Sequence, residues 1–353
     1  MTRIQKVKKR LNKNFDALLV SSIPNIIYLT GFAGFSEHER EAYLLLTKTK
    51  NYIFTDGRYT EVAGKIKAFK LVEISSKRKF IDSLKEIVIK ERINKMAIDE
   101  NDIKILESLQ IKRAVKICSD ENLIEELRKT KNRAEIENIK KACKLGDLTF
   151  KNILTEIKSG ITEKEIAQKI EIFILKTGAQ ISFKPIVAFG QNSSSPHHVP
   201  SDRKLKKNEI VLLDFGVKIN SYCSDMTRTV FFGKANTKLK IIYETVLESQ
   251  TRAIKSLKSS TGFEIDKIAR EYIENAGFST IPHSLGHGIG LEVHEKPSLS
   301  PKSKDVLTNG MIFSVEPGIY IPGVGGIRIE DLVLQAQNGP QIITRANREI
   351  IEL

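Results

Sequence analysis

Residues 210–232 read IVLLDFGVKINSYCSDMTRTVFF and decide how the second half of the chain folds. Within this stretch, Asp214 interrupts the apolar run 210–217. A carboxylate inside so apolar a strand is costly unless another group compensates its charge. The sequence therefore predicts that a cation lies beside Asp214.

The same stretch predicts a β-hairpin. Residues 211–217 and 225–231 form its strands, and residues 218–221 join them. A turn centred between Ile219 and Asn220 places Asp214 directly opposite Asp225. Opposed residues on antiparallel strands have β-carbons about 4.5–5.5 Å apart, and like charges there destabilise the pair. A cation shared by the two carboxylates reverses that effect.

Glu316 and Glu330 form a second acidic pair further along the chain. They flank residues 322–326, which read PGVGG and predict a turn. A hairpin centred on Gly323 places the two glutamates opposite each other. A one-residue bulge in either hairpin would break its alignment.

His287 lies between two glycines in residues 284–295, which read SLGHGIGLEVHE. Glycine lets the backbone and a ligand approach closely. A lone histidine is more often structural than a ligand. Here, however, five of the six histidines fall within one hundred residues: His197, His198, His283, His287 and His294. This clustering favours a site.

Four carboxylates and one imidazole together are a ligand set for two divalent cations: Asp214, Asp225, His287, Glu316 and Glu330. Oxygen-rich ligation with one nitrogen suits manganese first, then cobalt, iron or zinc. Two such ions would bind a bridging water, lower its pKa and polarise a carbonyl, as in a metal-assisted amide hydrolase. Each residue alone is more often a solvated or capping group, and only the combination favours the metal site.

The composition suits a protein of two domains, with 353 residues, 41% hydrophobic and 28% charged. No apolar run reaches bilayer length, and no apolar signal segment follows the basic N-terminus, so we expect a cytoplasmic protein with no membrane partner. The three scattered cysteines predict reduced thiols. The net charge of +14 is dispersed and has no arginine-rich stripe, so we expect no nucleic-acid partner.

The sequence predicts an α/β (α+β) protein with domains at residues 1–125 and 126–353. The first domain alternates strands with helical stretches, which indicates an α/β layer fold. Its predicted strands cover residues 17–20, 42–46 and 52–54, and an amphipathic helix is predicted over residues 81–93. Residues 120–159 are charged and helical in pattern and predict a rigid connection. Beyond them, helices alternate with β-hairpins.

The five ligand candidates, in this order and local context, resemble the dinuclear site of the pita-bread metallopeptidases. That family includes methionine aminopeptidase, aminopeptidase P and prolidase. The resemblance is carried by residues 213–216, 224–229, 286–290, 315–320 and 326–331. The creatinase/prolidase N-terminal domain and its junction resemble residues 27–32, 55–59 and 127–131. Methionine aminopeptidases lack that domain, so the resemblance favours the Xaa-Pro branch, with a creatinase/prolidase-type domain before a pita-bread catalytic domain.

The resemblance implies a role for each ligand. Asp214 and Asp225 would bind one ion and His287 and Glu316 the other. Asp225 and Glu330 would bridge the two. Glu316 would also carry a proton from the bridging water to the leaving proline nitrogen, because it lies beside that water.

Further residues match substrate-contacting or active-site positions of the branch: His197, His283, His294 and Arg328. The resemblance implies that His197 and His294 hold the substrate and the developing oxyanion. Arg328 would orient a substrate or a neighbouring carboxylate. Its alternative role is a structural ion pair with Glu330 or Asp331.

The resemblance implies hydrolysis of the bond before proline in proline-containing peptides, by a homodimer or larger homo-oligomer. The first hypothesis is an Xaa-Pro aminopeptidase that uses a metal-bridging hydroxide, and the alternative is an Xaa-Pro dipeptidase (prolidase). A dipeptidase must recognise the free proline carboxylate, often with an arginine. No arginine occurs between Arg270 and Arg328. A remote alternative is a non-catalytic pita-bread binding module, which the loss of a ligand would mark.

Overall fold

The computed structural model describes residues 1–120, 122–257 and 260–353, except the side chains of residues 12 and 13. The chain divides into two compact units, Met1–Arg128 and Lys129–Leu353. The boundary predicted after residue 125 falls inside the helix Leu123–Arg128. This helix packs with the first unit, because Asn25 donates a hydrogen bond to Glu125 (2.5 Å) and accepts one from Arg128 (2.9 Å).

The first unit alternates helices and strands. Its elements in chain order are α1 (Arg3–Asn14), β1 (Ala17–Val20), α2 (Ile23–Thr30), β2 (Ala42–Thr47), β3 (Asn51–Asp56), α3 (Thr60–Gly64), β4 (Lys70–Ile74), α4 (Phe80–Lys90), β5 (Lys95–Ile98), α5 (Ile105–Lys112), β6 (Lys116–Ser119) and α6 (Leu123–Arg128). The strands form one mixed sheet in the order β4-β3-β2-β1-β5-β6. This arrangement confirms the predicted strands and the α/β class.

Strands β1 and β2 are buried at every residue, as expected for a sheet that is covered on both faces. Helix α4 confirms the predicted amphipathic helix, but it ends at Lys90 rather than at residue 93. Arg92 adopts a left-handed backbone with φ of 53°. A helix cannot continue through that conformation, and Ile93 is buried beyond the turn.

The second unit combines four small sheets with flanking helices. Its elements are α7 (Arg133–Leu154), α8 (Glu163–Lys176), β7 (Gln180–Ile181), β8 (Ile186–Phe189), a 3₁₀ turn (Gly190–Ser194), β9 (Glu209–Phe215), β10 (Val217–Ile219), β11 (Tyr222–Cys223), β12 (Met226–Phe232), α9 (Thr237–Lys255), α10 (Gly262–Asn275), β13 (Gly286–Gly288), β14 (Glu295–Leu299), β15 (Ile312–Val315), β16 (Gly318–Ile321), β17 (Gly325–Arg328), β18 (Asp331–Ala336) and β19 (Gly339–Ile342). The strand orders are β12-β9-β8, β11-β10-β7, β14-β13-β15-β18-β19 and β16-β17.

The predicted helical connection over residues 120–159 is interrupted. Helix α6 ends at Arg128, Thr130 forms a β-bridge with Met311, and α7 begins at Arg133. Asn132 starts α7 as a capping box, because its side chain accepts the Glu135 N–H at 3.1 Å and Glu135 bonds back at 2.7 Å. That cap restarts the helix. Position 121 lies outside the described residues.

The predicted register of the first hairpin is wrong. Strand β12 pairs with β9 so that Thr227, not Asp225, stands opposite Asp214. Asn220 and Ser221 both have positive φ, 49° and 68°, and form a two-residue turn one position later than predicted. Asp225 lies directly before β12 and is therefore a diagonal neighbour of Asp214 on the same face.

The second hairpin follows the predicted register. Gly318 pairs with Arg328 in β16 and β17, and Val315 pairs with Asp331 in β15 and β18. One register runs through both pairs, so it is centred on Gly323 as predicted and contains no bulge. Glu316 and Glu330 occupy opposite positions in the gap between the two strand pairs.

Helices pack against the face of these strands that is opposite to the carboxylates. The apolar faces of α9 and α10 share one buried cluster with β14–β18, and α7 and α8 share another with β8, β9 and β12. Burial of these faces leaves the acidic side chains on the opposite, inner surface of the strands. No helix within the described residues is long and apolar enough to pass through a membrane.

Candidate metal centre

The second unit contains a cavity of about 520 Å³. Every residue that the sequence proposed as a ligand or active-site group lies in its wall: His197, Asp214, Asp225, His283, His287, His294, Glu316, Arg328 and Glu330. The remaining lining residues are mostly apolar: Phe183, Ile186, Pro196, Ser284 and Val293. The structure thus brings together side chains that the chain spreads over more than one hundred positions.

The strongest ligand geometry belongs to three of these residues. One ligand atom each from Asp225, His287 and Glu330 lies within 4.8 Å of the others. The imidazole Nε2 of His287 is also 3.2 Å from Glu316 Oε1 and 3.8 Å from Asp225 Oδ2. These donors converge on one small volume, as a metal centre requires.

Unpaired oxygen atoms test whether cations fit here. Among the described residues, Asp214 Oδ1, Asp225 Oδ1 and Glu330 Oε1 are buried and have no hydrogen-bond partner. A buried carboxylate oxygen without a partner is costly, and few such atoms persist in native proteins. All three belong to the predicted ligand set and face the same cavity. The donor set therefore fits divalent cations.

The pKa shifts of the buried carboxylates also favour bound cations. Burial raises the pKa of Asp225 and of Glu330 well above the usual range, and the neighbouring carboxylates raise both further. Burial also raises the pKa of Asp214, although the Arg328 charge opposes it. The cluster cannot hold all of its negative charge without compensation, and divalent cations would supply it.

His287 and Glu316 behave as a coupled pair. Burial acts to raise the pKa of Glu316, but the hydrogen bond and charge of His287, together with the charges of His283 and Arg328, outweigh it and lower that pKa to about 2. Burial acts to lower the pKa of His287, but Glu316 outweighs it and raises that pKa. A proton and a metal ion compete for the same two atoms in such a pair.

The position of the His287 ring is set by its glycine neighbours. A β-carbon at Gly286 would lie 2.0 Å from the Ser314 carbonyl oxygen, and one at Gly288 would lie 2.1 Å from that of Lys296. Only glycine allows β13 to fit between its neighbours. The Nδ1–H of His287 donates to the Gly288 carbonyl at 3.1 Å, which leaves Nε2 facing the carboxylates.

Arg328 orients one of the predicted ligands. Its Nη2 donates to Asp214 Oδ2 at 2.5 Å, its Nε donates to Thr227 at 3.0 Å, and its Nη1 donates to the Tyr320 hydroxyl at 2.9 Å and to the Pro196 carbonyl at 3.3 Å. The alternative ion pair with Glu330 or Asp331 is not formed.

Asp331 pairs instead with Arg228, at 2.6 Å, and both side chains are almost fully buried. Arg228 also donates to the Glu330 carbonyl oxygen. This pair lies directly behind the second acidic hairpin and fixes the backbone of a predicted ligand.

Two further imidazoles are held in neutral form. Burial lowers the pKa of His283, whose Nδ1–H donates to the Ser284 carbonyl at 2.8 Å and whose Nε2 accepts from the Tyr320 hydroxyl at 2.9 Å. Burial, followed by the charge of His287, lowers the pKa of His294. The rings of His294 and His287 are in edge contact, with centroids 4.2 Å apart.

Sequence reasoning missed the residues that support the ligands. Thr227 donates to Glu330 Oε2 at 2.8 Å, and Ser314 donates to Glu316 Oε1 at 3.0 Å. Each lies two positions from a predicted ligand, Asp225 or Glu316, and residues two apart on a strand share a face. That spacing could have found them, whereas Tyr320 could not be placed by spacing alone.

Comparisons with known proteins give a consistent result. Residues 137–336 match the model of metallopeptidase family M24, and residues 3–130 match the creatinase/prolidase N-terminal domain. The Xaa-Pro dipeptidase of Pyrococcus horikoshii is 35% identical over 99% of this chain and 98% of its own length.

Solved structures agree over the full length. The Xaa-Pro dipeptidase from Bacillus anthracis is 35% identical, with a TM-score of 0.94 over 99% of both chains. The X-Pro aminopeptidase from Thermotoga maritima is 35% identical, with a TM-score of 0.87 over 98% of this chain and 99% of its own. The pita-bread and creatinase-type fold expected from the sequence is thereby confirmed, and the chain belongs to metallopeptidase family M24.

Proposed function

We propose that this metallopeptidase uses two divalent cations to hydrolyse the peptide bond before proline, and that it acts first as an Xaa-Pro aminopeptidase. The observation that carries the proposal is the convergence of three unpaired buried carboxylate oxygens and the His287 Nε2 in one cavity. The relatives named above are Xaa-Pro dipeptidases and an X-Pro aminopeptidase, which supports proline-containing peptides as substrates.

In this proposal, Asp214 and Asp225 would hold one ion and His287 and Glu316 the other, and Asp225 and Glu330 would contribute to both. Their oxygen-rich set favours manganese, with cobalt, zinc or iron as alternatives. Divalent cations in such a site supply Lewis acidity, which polarises the scissile carbonyl and lowers the pKa of water.

Glu316 is the proposed proton carrier. Its carboxylate lies in the cavity wall, 3.2 Å from His287 Nε2, and would accept a proton from a water held there. The Ser314 hydroxyl holds the carboxylate at 3.0 Å. Glu316 then delivers the proton to the proline nitrogen as the C–N bond breaks, which is general acid–base catalysis at a fixed position.

The imidazoles and the apolar wall bind the substrate. Burial lowers the pKa of His294 and favours its neutral form, in which one ring N–H can donate a hydrogen bond to the developing oxyanion; His197 lines the same cavity. The bond before proline is a tertiary amide without an N–H, so the site must recognise ring shape instead. Phe183, Ile186 and Val293 supply an apolar surface for that ring.

The basic side chains that line the cavity favour the aminopeptidase over the dipeptidase. Arg328 is the only arginine or lysine among the described residues that line the cavity. Its three nitrogens already donate to Asp214, Thr227, Tyr320 and Pro196. Four of its five N–H groups are thus in use, which leaves little of the guanidinium for a free proline carboxylate. The names of the relatives favour the dipeptidase, which is the second candidate.

A substrate comparison separates the two candidates. Chelator-treated protein is reloaded with manganese and given matched Xaa-Pro-Yaa and Xaa-Pro peptides, with alanine in place of proline as the control. We expect release of the N-terminal residue from Xaa-Pro-Yaa. Cleavage of Xaa-Pro alone would establish the dipeptidase. If neither peptide is cleaved and Asp225→Asn changes nothing, the mechanism is wrong. The cytoplasmic location and the homodimeric or larger assembly stay predictions of the sequence.

A further inference from the structure

A fully buried carboxylate outside the metal centre bonds to both ends of a loop that contributes Pro196 and His197 to the cavity wall. Glu163 is the first residue of α8, and its side chain has no exposed surface. Its Oε1 accepts the Phe189 N–H at 2.7 Å and the Asn192 amide at 2.9 Å. Its Oε2 accepts from Ser201, with N–H at 3.0 Å and hydroxyl at 2.6 Å, and from His198 Nε2 at 2.8 Å.

These contacts enclose residues 190–201, here called the His197 loop. The same loop contacts the metal centre on its other side. The Gly326 N–H donates to Ser193 Oγ at 2.7 Å, and Arg328 donates to the Pro196 carbonyl at 3.3 Å. The loop is therefore clamped between a buried anion and the strand that leads to Glu330.

His197 depends on this clamp for its position. Its side chain is exposed at the cavity wall, and among the described residues no hydrogen bond holds its ring. With no hydrogen bond to the ring from any described residue, the position of the imidazole depends on the backbone of the loop. An error of about 1 Å in such a group can cost about a hundredfold in rate, so the loop anchor matters for catalysis.

The chemistry of Glu163 suits a permanent anchor. Burial acts to raise its pKa, but the hydrogen bonds from Ser201 and its other partners outweigh burial and lower it. Its place at the first turn of α8 also favours negative charge, because the helix N-terminus is positive. The carboxylate therefore remains ionised while buried.

We propose that Glu163 is a positioning residue for His197, acting through the five hydrogen bonds that fix the His197 loop. A glutamine in its place keeps the shape of the side chain but replaces one acceptor oxygen by an NH2 donor. The backbone N–H groups of Phe189 and Ser201 meet different oxygens, so either orientation of the new amide sets N–H against N–H. Glu163→Gln should therefore release one end of the loop.

The kinetic test uses the Xaa-Pro-Yaa or Xaa-Pro substrate that the wild-type enzyme cleaves, and so rests on the proposed function. We expect Glu163→Gln to lower kcat/KM by about ten- to a hundredfold with unchanged metal content. In the His197→Ala background, the same change should cost less than about twofold, because coupled residues are non-additive. An equal loss in both backgrounds would make Glu163 merely structural.

Glu165→Gln is the matched control. Glu165 lies on the same turn of α8 and bonds only within the capping box, to Thr162 N and Oγ at 2.8 and 2.9 Å. The Glu165→Gln substitution removes the same charge without changing any contact to the His197 loop, and we expect little change in kcat/KM. Should Glu163→Gln fail to fold, Ser201→Ala removes one donor to Glu163 and should give a smaller loss with the same non-additivity. A Ser201→Ala enzyme with wild-type kinetics would then overturn the proposal.

A spectroscopic readout is independent of peptidase activity. Histidine-ring NMR of the zinc-loaded full chain, in which the d¹⁰ ion is diamagnetic, resolves His197 once its signal is assigned from His197→Ala. Glu163→Gln should shift or broaden the His197 signal and leave exposed His38 of the first unit unchanged. An unchanged His197 signal refutes the inference even if no substrate is cleaved. If the wild type cleaves no substrate but Glu163→Gln still shifts the His197 signal, the inference about Glu163 is supported and only the peptidase proposal is refuted.

Discussion

Asp225→Asn should change stability in opposite directions in metal-free and metal-loaded protein. In the metal-free state, Asp225 Oδ1 is buried without a partner among the described residues. The charges of Glu330, Asp214 and Glu316 all act against its ionisation. An amide carries no charge, so it avoids the free-energy cost of ionising or protonating this buried carboxyl group and therefore stabilises the metal-free fold.

The size of the two effects follows from the contacts. Each unit by which burial and like charges raise the pKa of a carboxyl group costs about 1.4 kcal/mol of folding free energy at a pH above that pKa, so the substitution should recover about 1–2 kcal/mol. For a unit of this size, that corresponds to a Tm increase of about 2–8 °C. A cation at a hundred times its Kd stabilises the wild type by about 2.7 kcal/mol. The variant loses most of that gain, because Asp225 is a proposed ligand of both ions.

Thermal unfolding of chelator-treated and manganese-loaded protein at one pH and salt concentration measures both effects. Asp202→Asn is the control, since Asp202 is 82% exposed and pairs with Lys164 on the surface. We expect it to change stability by less than about 1 kcal/mol in either state. If Asp225→Asn lowers Tm equally with and without metal, Asp225 is a structural carboxylate and not a cation ligand.

Three further predictions concern the surroundings of the centre and the first unit. Arg228→Met should destabilise the second unit by about 3–5 kcal/mol in urea unfolding, because it leaves Asp331 charged and buried, and adding Asp331→Leu should restore most of the loss. Gly288→Ala should displace His287 and weaken metal affinity in calorimetry, because the new β-carbon would meet a backbone oxygen at 2.1 Å; unchanged affinity would contradict this. Burial raises the pKa of Asp120 to about 7, above an unfolded value of about 3.9. The stability that Asp120 contributes is therefore present below about pH 4 and is lost as pH rises through 7. The difference in unfolding free energy between wild type and Asp120→Asn, measured in urea, should grow from pH 5 to pH 8. A difference that stays constant over this range would refute the prediction.

Four of the five candidate ligands could be proposed from sequence because each has a local signature. Asp214 interrupts an apolar strand, Glu316 and Glu330 flank a glycine-rich turn, and His287 is framed by glycines. These signatures depend on residues within a few positions. The period of two along a strand would also have identified Thr227 as a neighbour of the cluster.

The groups that hold the ligands could not be predicted because their partners are distant in the chain. Arg328 reaches Asp214 across 114 positions, and Arg228 reaches Asp331 across 103. Buried ionic groups choose partners by how the layers pack, and one sequence carries no record of that packing. The sequence could therefore offer alternatives for Arg328 but could not choose Asp214.

The error in the first hairpin shows why the candidate ligands were nevertheless predicted to lie together. The predicted turn was one position too early, which moved the partner of Asp214 from Thr227 to Asp225. A turn that moves by one position shifts strand pairing by two residues, and a shift of two returns every side chain to the same face. Asp225 therefore remained on the face of Asp214, as a diagonal instead of a direct neighbour. A bulge of one residue would have turned Asp225 to the opposite face and separated the carboxylates, so the prediction depended on strand parity and not on the exact register.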